Sequence, residues 1–247
     1  MSTVGTWTWA QQTGGRLRRR DRAELMRQAV VAQMARVVAR GGQVEGLDIE
    51  IPTPPDSALA RLAEERAREL SSPALYAHCL RTWAFSEMFA ARERVGHDGE
   101  LLYVACMLHD LGLTSAHDRL DATAHCFAVE GARAAHGLMV AHGEPEDRAR
   151  AVGEAIALHL NVTVPAGMGV EAYLMSKGVS LDTIGRRLHQ LPMRSVGAVG
   201  DRWQRDGFTE ELVSLTSRQA ELRPQSRSAF LHRLGFAGML RANPLDR

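Results

Sequence analysis

Lysine is all but missing from this chain. Of its 30 basic residues only Lys177 is a lysine, and the other 29 are arginines. That bias reads as the codon usage of a GC-rich genome. Aromatic residues are scarce at 5 % and β-branched runs are few, whereas Ala and Leu abound, which points to an all-α fold. A surplus of one charge is also missing: 30 basic against 29 acidic residues leave a net charge of +1, so no global field invites nucleic acid or an anionic membrane. Cys79, Cys106 and Cys126 are odd in number and lack C-x-x-C spacing, which argues against a disulfide framework or a zinc ribbon. Buried, reduced thiols of a cytoplasmic protein are expected instead. No apolar run is long enough to cross a bilayer, and the polar start lacks a signal core, so export and membrane partners are not expected.

The 247 residues suffice for a full core. An N-terminal part, 1–56, holds Trp7 and Trp9, the basic run at 16–20, a helical pattern over 21–40 stopped by Gly41-Gly42, and a linker at 51–56 with three prolines. The basic run is expected to be solvated, and the two tryptophans could pack on a second copy in a homodimer. The body, 57–236, predicts helices at 57–70, 74–94, 99–110, 124–142, 146–159, 169–189, 208–221 and 226–235, and 237–247 is left as a tail.

What is present and chemically loaded is the pair His109-Asp110, which closes the apolar run Leu-Leu-Tyr-Val-Ala-Cys-Met-Leu at 101–108. The run is apolar all round, so its helix should be buried. An imidazole and a carboxylate there must be paired or bind a metal. The negative end of the helix dipole favours a cation at that point, and Gly112 is suited to closing the helix. His78 and Asp182 are polar interruptions in two other apolar helices. His78, His109, Asp110 and Asp182 are therefore the expected metal ligands, converging from three helices. Two imidazoles and two carboxylates suit one divalent transition metal, zinc first, with iron, manganese or nickel as alternatives.

In the order His78 … His109-Asp110 … Asp182 the chain resembles the HD-domain superfamily of metal-dependent hydrolases. That resemblance implies an all-α HD-domain bundle, here with an N-terminal helical extension. Within the superfamily, His109-Asp-Leu-Gly-Leu-Thr114, Phe127-Ala-Val-Glu-Gly-Ala132 and the segment from Trp203 to Leu212 look like the cyanamide hydratase branch. Phosphohydrolase members carry a Lys just after His-Asp-x-Gly, where this chain has Leu113 and Thr114. Phe127 stands where dinuclear members place a further His, which implies a mononuclear site.

The expected chemistry is addition of metal-activated water to a small polar substrate such as a nitrile or cyanamide. Asp110, Lys177 and His159 are the expected catalytic side chains, Lys177 and His159 as proton donors. Asn161, Thr163 and Thr114 are expected to bind substrate. Lys177 lies five residues before Asp182, off the same helical face. His97, His117, His136, His142, His189 and His232 belong on exposed or half-buried faces. The alternatives are a phosphohydrolase of nucleotides or phosphoesters, an iron oxygenase on the same ligands, and an HD protein that only binds a ligand.

Overall fold

The computed structural model describes residues 2–38, 48–117 and 125–246, among which there are twelve α-helices and no strand. In chain order they are α1 (Trp7–Thr13), α2 (Arg19–Val38), α3 (Ala58–Leu70), α4 (Pro73–Glu93), α5 (Gly99–Leu108), α6 (Phe127–His142), α7 (Glu146–Leu158), α8 (Val170–Ile184), α9 (Met193–Arg202), α10 (Phe208–Leu222), α11 (Arg227–Arg233) and α12 (Phe236–Arg241). The expected all-α class holds. The expected Gly41-Gly42 stop lies outside the described residues.

Local chemistry sets the ends. Ser72 caps α4 by accepting from Leu75 N, with Pro73 in the first turn, and Asp98 caps α5 by accepting from Leu101 N. Helix α8 ends at Ile184, short of the expected 189, because Gly185 takes a left-handed φ of 64° and donates back to Leu181 O. Gly112 plays a different part from the one expected. Its φ is not positive. A Cβ there would lie 1.9 Å from Phe127 O, so the missing side chain lets α6 pack directly on the turn after α5.

The core is built around α5, whose residues Leu101 to Leu108 are all buried, enclosed by α3, α4, α6, α7 and α8. The most extensive helix pairing is α4 with α8. It depends on Gly178, where a Cβ would meet Thr82 O and Ser86 Oγ at 2.3 Å. All three cysteines are buried and free, as expected.

Both ends of the chain join this body. Trp9 is fully buried and Trp7 nearly so, α1 packs on α7, and Trp7 stacks on His136 at 5.0 Å. The tryptophans thus sit in their own chain's core, which removes the ground for expecting them against a second subunit. Arg16, Arg18, Arg19 and Arg20 are exposed, in keeping with a solvated run. Residues 237–247 were expected as tail, yet Phe236–Arg241 form α12 against α8 and α10, and a further turn follows at Pro244–Asp246. Helix α9 was not among the expected helices, and Val196 and Val199 bury its apolar face.

Candidate metal centre

Two helix C-termini meet at one point. His109 is the C-cap of α5 and His159 the C-cap of α7. Each ring hydrogen-bonds the carbonyl three residues back through Nδ1, His109 to Cys106 O and His159 to Ile156 O, both at 2.7 Å. A carbonyl only accepts, so Nδ1 carries the proton in both rings and Nε2 is left as a lone pair. The negative ends of both helix dipoles face the same region.

His78 joins them from the middle of α4. Its Nδ1 lies 2.6 Å from Asp182 Oδ2 in α8, so its Nε2 is likewise a lone pair. His78 Nε2 and His109 Nε2 are 3.2 Å apart, and Asp110 Oδ2 lies 3.6 Å from the first and 3.4 Å from the second. Burial pushes the His78 imidazole below its ordinary pKa, which leaves few protons for this contact. Two acceptor nitrogens and a carboxylate oxygen in mutual contact, all buried, are repulsive unless a cation lies among them. Ligands bonded at about 2.0–2.1 Å in a tetrahedron stand about 3.3 Å apart, which matches these separations. The residues present fit a divalent metal.

His159 Nε2 stands 3.8 Å from Asp110 Oδ1, and its ring is 5.3 Å from that of His109. Burial, with His109 beside it, pushes its pKa down to about 3. A neutral ring whose Nδ1 is already engaged offers a lone pair, so the expected role of proton donor does not suit it.

Five other expected site residues are corrected by position. Asp182 does not face the cluster as a ligand. Its Oδ2 is held by His78 Nδ1 and by Arg81 Nη2 at 3.0 Å, and its Oδ1 by Arg81 Nε at 2.8 Å and Arg205 Nη1 at 2.6 Å. Burial works against the charge on Asp182, but Arg81, His78 and Arg205 outweigh it and hold the carboxyl well below the usual carboxylate range. Lys177 points away from the cavity. Its ammonium pairs with Glu93, donates to Tyr173 Oη at 3.2 Å and sits over the Phe89 ring at 4.6 Å. Asn161 lines the cavity, yet its amide ties the N-terminal segment to α11, donating to Val4 O at 2.8 Å and accepting from Arg227 Nη1 at 3.1 Å. Thr114 bonds Leu111 O at 2.7 Å, and neither it nor Thr163 lines the cavity.

Sequence reasoning missed the frame around Asp182. Arg81 lies one turn after His78, and that spacing was a usable signal. Arg205 and Asn243, which both donate to Asp182 O at 2.8 Å, come from the distant C-terminal part and left none. Phe208 stacks on the His78 ring at 4.5 Å and takes both guanidinium groups at about 5 Å.

The cluster opens into a cavity of about 920 Å³ bounded by residues of α2, α8 and α10–α12. A helical bundle that holds a buried His-His-Asp set at the mouths of two helices is a metal-binding protein by class. Comparison with known proteins sharpens this. The HD domain family model matches residues 75–191, which include His78, His109, Asp110, His159 and Asp182. Two proteins of Saccharomyces cerevisiae, cyanamide hydratase DDI2 and cyanamide hydratase DDI3, are each 32 % identical to the chain over 159 residues, covering 62 % of this chain and 68 % of theirs. The chain belongs to the HD-domain family, and within it is similar to cyanamide hydratases. Among the described residues, no helix is long and apolar enough to cross a membrane.

Proposed function

We propose that this protein is a metal-dependent hydratase that adds water to the polarised carbon of a nitrile- or cyanamide-type small molecule. The observation that carries the reading is the facing pair of Nε2 lone pairs on His78 and His109, with Asp110 beside them, on the wall of a cavity open to small molecules. The likeness to two cyanamide hydratases supports the choice of substrate type.

One ion, zinc first by its fit to imidazole and carboxylate donors, would be held by His78, His109, Asp110 Oδ2 and His159. Such an ion supplies Lewis acidity, bringing the pKa of water toward neutrality. The remaining work falls to the protein. Asp182 and the carbonyls of Cys106 and Ile156 fix the three ring orientations. Asp110 Oδ1, free of the His78–His109 contact, is placed to accept a proton from the attacking water. As the new C–O bond forms, a C–N π pair moves onto nitrogen, and the proton passes from Asp110 to that nitrogen. The immediate product is the imidic acid, or isourea from cyanamide, and shift of its O–H proton to nitrogen gives the amide or urea. The sum is nitrile plus water to amide, or cyanamide plus water to urea. Leu113 and Thr114, both buried, put no cation after the His-Asp pair, which weighs against a phosphoester substrate.

The test is metal content together with turnover of cyanamide, a simple nitrile and a phosphomonoester, in the wild type and in His109→Ala. One metal per chain with urea or amide product, both lost in the variant, is the expected result. Two metals with phosphatase activity would overturn it.

A further inference from the structure

We propose that the natural substrate carries its reactive carbon on an apolar body of about ten or more non-hydrogen atoms, seated in the cavity beyond the metal cluster. The head-group chemistry rests on the hydratase reading above; the apolar body rests on the cavity itself.

The first ground is size. Cyanamide has three non-hydrogen atoms and fills about the space of two waters, ~60 Å³ at ~30 Å³ each. The cavity measures about 920 Å³. Pockets of about 300–1,000 Å³ suit ligands of drug-like size.

The second ground is the chemistry of the walls. Val30, Val179, Leu212, Leu234, Phe236 and Met239 line the cavity from four different helices and the turn between α11 and α12. Three of them, Val30, Leu234 and Met239, are among the large apolar side chains left exposed on the protein. An occupant that covered them would remove apolar surface from water.

Of the hydroxyls on the walls, those of Ser180, Thr183 and Thr216 do little to reverse this, and Ser176 is a further one. Ser180 donates to Lys177 O at 3.1 Å, Thr183 to Val179 O at 2.7 Å and Thr216 to Leu212 O at 2.6 Å, so each spends its proton on its own helix. Among the described residues Asp110 is the only carboxylate that lines the cavity, and it belongs to the cluster. A cationic body would find no further carboxylate among the described lining residues. Gln33, Arg186, Arg187, His189 and Gln190 make another stretch of the wall polar, so an apolar body with one polarised end matches the side formed by α2, α8, α10 and α12.

The test uses the intact, metal-loaded protein with cyanamide and its N-methyl, N-butyl, N-hexyl and N-benzyl derivatives. The value of kcat/KM is expected to rise about threefold to fourfold for each added methylene until the cavity is full. A parallel calorimetric series measures binding of methylurea, butylurea and hexylurea, which needs no turnover, and Kd is expected to fall by the same factor. Val179→Trp, which fills the cavity from α8, should collapse the hexyl-to-methyl ratio in both series. If cyanamide is hydrated but neither series improves with length, the proposal is overturned and the hydratase reading stands. If no cyanamide is hydrated but urea binding tightens with length, the apolar body stands and the head-group chemistry is overturned. An unchanged ratio in a folded Val179→Trp would also overturn the proposal.

Discussion

Asp182 grips the far nitrogen of His78: Oδ2 and Nδ1 are 2.6 Å apart on the side of the ring that faces away from His109. The carboxylate thereby fixes which nitrogen of His78 is free, and the buried Arg81 with the half-buried Arg205 fixes the carboxylate. A substitution here should separate a residue that positions a ligand from one that is a ligand. Asp182→Asn keeps the shape but leaves the buried Arg81 without its counter-charge and Arg205 with Asp246 alone, which should cost about 3–5 kcal/mol of stability. Metal affinity should fall about 10–100-fold rather than vanish. Urea unfolding and a competition titration against a chelator check the two halves, and total loss of metal in a folded variant would restore Asp182 to the ligand set.

The fit of α6 against the His109-Asp110 turn offers a second test, on packing. A methyl at Gly112 would press on backbone atoms, Phe127 O at 1.9 Å and Gly131 N at 3.0 Å, which cannot yield as a side-chain tip can. Gly112→Ala should therefore lose more than ~3 kcal/mol, the upper range for overpacking. Gly137, on the same helix, has nothing within 4 Å of a built Cβ. Gly137→Ala should gain about 0.5–1 kcal/mol through helix propensity alone. Thermal melts of the pair would show opposite signs.

The site was partly legible from the chain alone, and the limits have physical causes. An imidazole and a carboxylate at the end of an all-apolar helix signal a paired or metal-bound group, and His109-Asp110 proved to be at the cluster. Asp182 was visible as a polar interruption, but which face of His78 it meets depends on the α4–α8 approach set by Gly178. Lys177 stood out through rarity, which carries no direction. Five residues from Asp182 on one helix, it faces the opposite way and meets Glu93. Helix α9 was hidden because Gly197 and Gly200 cost helix propensity, and only packing against α4 recovers it. His159 was expected as a proton donor, while its kinship to His109 is a matter of capping geometry at two helix ends.

Away from the metal centre, His97 offers a pH effect. Its Nε2 is 3.1 Å from Glu87 Oε1 and its Nδ1 3.3 Å from Val95 O. Burial opposes the charged ring, but the Glu87 contact outweighs it and raises the pKa above the ordinary 6.5. A folded pKa above the unfolded value means stability that is fully present below about pH 6.5 and is lost as pH rises through the folded pKa. The gain should be under ~1 kcal/mol, because the pair is partly exposed. In Glu87→Gln the His97 titration, followed by NMR, should move down and this part of the pH dependence should disappear. A His97 pKa unchanged by the substitution would contradict the assignment.

His159 provides the sharpest test of the four-residue donor set. A ligand contributes to holding the ion, whereas a proton donor contributes only while substrate reacts. His109 and His159 cap α5 and α7 in the same manner and both keep Nε2 free, so they should behave alike. His159→Ala should weaken metal binding by more than the ~100-fold that loss of an orienting partner can cost, and activity should fall with occupancy. Raising the metal concentration should then recover part of the activity. Chelator competition and a metal-dependent activity curve on the same preparation decide the matter. Unaltered metal affinity with a depressed kcat at saturating metal would make His159 a proton-transfer residue and leave His78, His109 and Asp110 as the whole of the protein's ligand set.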